Sequence, residues 1–139
     1  VVDTSVLIAA LRSGSGASAE VLRLVLEQEI TTLMDYKLAA EYRDVALRAR
    51  QLQATGRSSG DTAILLDALE AVAEPVFVAF RHRPLSIDAD DDMVLDVAIN
   101  GGAQAVVTMN TKHFRDAAAR FGVDVITPAQ LLKQLAGRG

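Results

Sequence analysis

The sequence Val1-Val2-Asp3 puts an acid directly after two β-branched apolar residues and directly before a helix start. Sites in open parallel sheets form beyond the carboxyl ends of the strands, and a short acid there points into the crevice. The alternative is that Asp3 only caps the helix that follows. Asn110 repeats the arrangement after Val106-Val107-Thr108-Met109, and it too can be read as a cap. Glu41 has Leu38 three residues before it and Val45 four after it. It therefore borders an apolar helical stripe, where a carboxylate either rims a pocket or extends into water. The densest acidic run is Asp88, Asp90, Asp91, Asp92 and Asp96. A solvated helix N-terminus accounts for Asp88, Asp90 and Asp91. It accounts less well for Asp96, which shares a helical face with Asp92, close to Leu95 and Ile99.

Asp3 and Asn110 at strand ends, with Glu41 and the Asp92/Asp96 pair on helices, can converge on one crevice. Crowded carboxylates repel one another unless a cation is near. An oxygen donor set with two His and no Cys suits Mg²⁺ or Mn²⁺. Asp88, Asp90 and Asp92 imitate the opening of a calcium loop. Met93 stands where that loop needs Gly and Ile99 where it needs Glu, which excludes an EF-hand. A phosphoaspartate enzyme of the haloacid-dehalogenase type needs a second Asp two residues after Asp3, and Ser5 stands there.

The elements that must hold these residues alternate. Residues 4–11 and 17–28 read as helices around the flexible Ser13-Gly14-Ser15-Gly16, and 30–34 as a strand. Asp35 is expected to cap a helix running to about 53, with Leu38, Tyr42, Val45, Ala49 and Leu52 as its apolar stripe. After a polar loop over 55–60, residues 61–73 form a helix with Ile64, Leu65, Ala68, Leu69 and Val72 inward, stopped by Pro75. Residues 76–80 are expected to be extended, and 81–86 a loop. A helix over 92–100 ends at Gly101-Gly102, followed by a strand over 105–109 and a helix over 111–121 that Gly122 stops. A strand over 123–126 leads to a last helix through 135, with Thr127 as N-cap and Pro128 in the first turn. This order predicts an α/β fold: a parallel central sheet flanked by helices, one three-layer domain over 1–139.

Composition narrows the function classes. With 139 residues, half of them hydrophobic, the chain buries enough surface to need no staple. The absence of Cys excludes a disulfide scaffold and a cysteine nucleophile, and fits a reducing, cytoplasmic setting. Eighteen acids against fourteen bases, a net charge of −4, disfavour an architectural DNA binder. They leave room for a nucleic-acid enzyme whose bound cations reverse the sign of its pocket. Aromatics at 4% with no Trp do not suit a binder built from stacked aromatic platforms. No apolar run approaches a membrane span, and no signal peptide is visible. The start at Val1 in place of Met leads to the expectation that a few N-terminal residues are missing.

Four segments resemble, in order, those of the PIN-domain ribonucleases, a family that includes VapC-type toxins of toxin–antitoxin pairs. They are VVDTSVLIAAL, YKLAAEYRDVAL, DADDDMVLDVAINGGAQAVVTMNTKHF and FGVDVITPAQLL. The resemblance implies a metal-dependent endoribonuclease that leaves a 5′-phosphate and a 3′-hydroxyl. It matches Asp3, Glu41 and Asp92 to the family's metal-binding acids, with Asp91 the runner-up to Asp92 and Asp96 a secondary candidate. Asn110 stands where many members have a fourth Asp. Thr4, Ser5 and Thr108 resemble the small hydroxyl residues beside those acids, and capping is their alternative role. Mg²⁺ or Mn²⁺ is the implied cofactor and RNA the implied substrate. Arg43, Arg48, Arg81, Arg83, Lys112 and Arg115 are candidates to hold its backbone. A small antitoxin protein is the implied partner. Leu22 and Leu26 are candidates for its groove or for a homodimer contact, burial in the core being the simpler alternative.

Overall fold

A computed structural model of the chain describes residues 1–80 and 89–138. The described elements are α1 (Thr4–Arg12), α2 (Ala17–Leu26), β1 (Leu33–Met34), α3 (Tyr36–Ala46), α4 (Ala49–Thr55), α5 (Ser59–Val72), β2 (Glu74–Pro75), α6 (Ala89–Gly101), β3 (Ala105–Val107), α7 (Thr111–Ala119), β4 (Asp124–Ile126) and α8 (Pro128–Gly137). The loop expected over 81–86, together with Arg81, Arg83 and Asp88, lies outside the described residues.

Every described strand pairing is parallel. β1 pairs with β2, β3 pairs with β4, and Val2 bridges to Val107. Strand-like bonds extend that bridge: the Val1 amine donates to the Ala105 carbonyl at 2.9 Å, and the Val107 N–H to the Val1 carbonyl at 2.8 Å. The strands are short, and the described residues form two separate pairs where one continuous sheet was expected. Val1 and Val106 belong to the main core, whereas Val2 and Val107 join Val6 and Ile126 in a smaller cluster. Alternate residues thus go to different cores, and this part of the sheet is buried on both faces.

Punctuation residues act largely as their chemistry dictates. The Asp35 carboxylate accepts the Leu38 N–H at 2.8 Å and starts α3. Ser58 caps α5, and Thr127 with Gln130 forms a reciprocal capping box on α8. Gly102 and Gly122 follow their helices at positive φ. Gly101 has a different task. A Cβ there would stand 2.8 Å from Leu33 and Val76, so only glycine lets the end of α6 approach this edge.

Three expectations need correction. The helix expected over 35–53 is two helices, since Leu47 closes α3 and Arg48 is extended, with ψ 138°. Neither Pro nor Gly stands at the break. The turn lets the buried Gln51 accept from Arg12 Nε at 3.2 Å and Nη2 at 2.8 Å, a tertiary pairing that overrides local propensity. Ala46 is buried in that stripe, and Ala49 is exposed. The inward face of α5 is Thr62, Leu66 and Leu69, while Ile64 is 67% exposed, because a threonine occupies a place the apolar count overlooked. The strand expected over 30–34 shrinks to β1.

Leu22 is buried and Leu26 packs against the core, as in the simpler of the two alternatives. At the centre lies Tyr42, whose hydroxyl donates to the Val2 carbonyl. Burial, and then the charges of Asp3 and Asp35, raise its pKa above the ordinary 10.0. A raised folded pKa gives stability that is complete below pH 10 and lost as pH climbs above it, where only the unfolded phenol ionises. Tyr42→Phe is expected to cost about 1 kcal/mol at pH 8 through the lost hydrogen bond. Its deficit against the wild type should shrink by about 1.4 kcal/mol per pH unit above pH 10. Urea unfolding of both proteins between pH 8 and 11.5 measures this.

Candidate functional site

The pairing of Val2 with Val107 sets two strand ends side by side. The Asp3 N–H donates to the Val107 carbonyl at 2.9 Å, so Asp3 leaves its strand where Thr108 leaves β3. Asp3 stands at the N-cap position of α1, yet its side chain makes no capping bond. Its Oδ2 instead accepts from the Ser5 hydroxyl at 2.6 Å and from the Thr108 hydroxyl at 2.8 Å. Each hydroxyl is itself oriented. Ser5 Oγ accepts the Met109 N–H at 3.1 Å, and Thr108 Oγ1 the Asn110 N–H at 3.0 Å. A hydroxyl has one proton, so a backbone N–H on its lone pair leaves that proton for the carboxylate. Neither bond uses Oδ1. Asp3 is 7% exposed and Thr108 fully buried, so the chain has built a dry, hydrogen-bonded seat for one carboxylate.

Asn110 holds the N-cap position of α7, also without a side-chain capping bond, and it is exposed. Both strand-end residues that could have been mere caps therefore leave that task undone. Asp91 and Asp92 lie in the first turn of α6, where the helix dipole favours negative charge. Asp92 is 4% exposed and Asp96 1%. Asp91 Oδ2 lies 3.4 Å from His113 Nδ1, which joins the first turn of α6 to the first turn of α7. The starts of α1, α6 and α7 thus meet at one end of the molecule. Glu41 is half-buried on α3, next to Tyr42, which touches Val2 and senses Asp3. Glu41 lies in an eleven-residue helix, shorter than the expected one.

Among the described residues, no three His, Cys, Asp or Glu side chains gather closely enough to share an ion. The donor chemistry still fits Mg²⁺, which keeps most of its waters and is typically held by one or two carboxylates. Two of the proposed RNA-holding bases have other work. Arg43 bonds Asp67 at 2.6 Å and Glu70 at 2.9 Å, and Arg48 bonds Asp44 at 2.6 Å. Lys112 and Arg115 are exposed on α7, beside Asn110. His113 went unnoticed in the sequence. Its only signal there is a position three residues after the strand-end Asn110.

A PIN-domain family model matches residues 1–112, a span that contains Asp3, Glu41, Asp92 and Asn110. Neither the curated proteins nor the solved structures contain a significant match to the chain.

The seat of Asp3 predicts a measurable asymmetry. Thr108→Val keeps the volume but removes the hydroxyl between Asp3 and the Asn110 N–H. It should cost about 1–3 kcal/mol in urea unfolding at pH 7, and Thr108→Ser much less. A larger loss in Thr108→Ser than in Thr108→Val would assign the role of Thr108 to its methyl group.

Proposed function

We infer the activity from one premise: this chain belongs to the PIN-domain family. PIN domains are commonly nucleases and generally use divalent metal ions. We propose that this one is a Mg²⁺- or Mn²⁺-dependent endoribonuclease that hydrolyses RNA phosphodiester bonds. We further propose that it is the cytoplasmic toxin of a toxin–antitoxin pair, dimeric and held in check by a small antitoxin protein. The observation that carries the reading is the hydroxyl-fixed, buried Asp3 at a parallel strand end, beside Asn110 at the next strand end.

In this reading Asp3, Glu41 and Asp92 hold the cation, with Asp96 behind them. A bound Mg²⁺ or Mn²⁺ supplies the positive charge that an acidic pocket needs to accept phosphate and to lower the pKa of an attacking water. Ser5 and Thr108 fix the Asp3 carboxylate, so no reorientation is needed as charge builds on the substrate. Asn110 presents a neutral amide that orients a water. Lys112 and Arg115, exposed on α7, meet the RNA backbone. Hydrolysis leaves a 5′-phosphate and a 3′-hydroxyl.

A second reading is a catalytically inactive PIN-like module that binds RNA or a protein partner. It draws on Asn110 in place of an acid, and on the lack of a three-ligand cluster among the described residues.

One set of assays separates the two. In Mn²⁺ the wild type should cleave RNA, and in EDTA it should stay folded but inactive. Asp92→Asn should lower the rate by orders of magnitude, Asn110→Ala modestly, and Asn110→Asp should preserve or raise it. Removing one carboxylate relieves repulsion in the metal-free protein, so Asp92→Asn should be more stable than wild type in EDTA by about 1 kcal/mol. Added Mn²⁺ should raise the Tm of the wild type more than that of the variant. A wild type that binds RNA without cutting it in Mn²⁺ establishes the second reading. An Asp92→Asn protein that still cleaves, or that melts lower in EDTA, makes Asp92 a structural residue.

A further inference from the structure

The run Asp90-Asp91-Asp92 offers more acids than one site needs, and adjacent residues on a helix point about 100° apart. One contact ties Asp91 to α7. His113 Nδ1 lies 3.4 Å from Asp91 Oδ2, with 58% of the imidazole and 12% of the Asp91 side chain exposed. The first turn of α7 is firmly anchored: the His113 N–H bonds the Asn110 carbonyl at 3.0 Å, and Phe114 is fully buried. An Asp91 held against α7 turns Asp92 about 100° away, onto the face it shares with the buried Leu95 and Asp96. His113 stands one residue beyond the family match, which ends at 112.

We propose that His113 is a positioning residue that selects Asp92 over Asp91 as the acid presented to the cation, by keeping Asp91 against α7. The inference rests on the metal-dependent reading above and adds to it a residue outside the ligand set. Partners that orient metal ligands from behind typically contribute 10–100-fold to metal affinity.

The test is Mn²⁺ binding followed by electron paramagnetic resonance, with Mn²⁺ alone as the probe. His113→Ala should weaken binding about tenfold, while its Tm in EDTA stays at the wild-type value. His113→Asn, whose amide nitrogen takes the place of Nδ1, should restore it. In an Asp91→Asn background, His113→Ala should have no further effect, because His113 acts only through Asp91. Asp92→Asn should lose binding and Asp91→Asn keep it. Wild-type affinity in His113→Ala, an equal loss in the Asp91→Asn background, or loss of binding in Asp91→Asn alone overturns the proposal and leaves the metal site standing. A wild type that takes up no Mn²⁺ at millimolar concentration overturns the metal-dependent reading, and this inference falls with it.

Discussion

The molecule hangs on a backbone contact between its first three residues and a strand a hundred positions later. The Asp3 N–H to the Val107 carbonyl, and the Val107 N–H to the Val1 carbonyl, are ordinary ladder bonds of 2.9 and 2.8 Å. Their consequence is positional. Because the pairing is parallel, both segments leave the sheet at the same end, and whatever follows each must share that space. Thr108 then reaches Asp3, Tyr42 closes over Val2, and α3 arrives with Glu41. A slip of one residue in this register would turn Val2 and Val107 into the wrong core and separate Asp3 from its hydroxyl donors.

Helix boundaries set by side-chain chemistry were legible in the sequence. Asp35, the Thr127–Gln130 box and the glycines after α6 and α7 act within four residues of themselves, and a local signal suffices to read them. The break at Leu47–Arg48 was not legible, because the Gln51 it positions pairs with Arg12, 39 residues earlier. The three acid or amide caps make the same point within one residue class. Asp35, Asp3 and Asn110 all precede a helix, yet only Asp35 caps with its side chain. Asp3 is diverted by Ser5, two residues away, and by Thr108, 105 residues away. The positions of the candidate acids could thus be read from order and spacing, and the task of each depended on contacts across the fold. His113 was invisible for the same reason, since it matters only beside Asp91.

The electrostatics of the chain are partitioned. Arg43 ties α3 to α5 through Asp67 and Glu70, and Arg48 pairs within its own neighbourhood through Asp44. Exposed pairs of this kind contribute little stability. Their effect is to neutralise positive charge on this flank, while the carboxylates Asp3, Asp91 and Asp92 sit at helix starts where backbone dipoles favour them. Some acids thus pair with arginines on the α3–α5 flank, and others stand at the starts of α1 and α6.

Asn100 shows how the opposite margin is finished. Its Oδ1 accepts from Ala79 N–H at 3.1 Å and Phe80 N–H at 3.0 Å, and its Nδ2 donates to the carbonyls of Phe80 and Asp96, both at 2.8 Å. Pro75, in the preceding strand, has no N–H to offer. The segment from 75 to 80 carries two exposed phenylalanines, 86% and 71% accessible at Phe77 and Phe80, a composition that ordinarily invites another chain to add a strand. With one donor missing and two already occupied by a side-chain amide, that invitation is largely withdrawn. A single asparagine near the end of α6 therefore occupies backbone groups that an added strand would need.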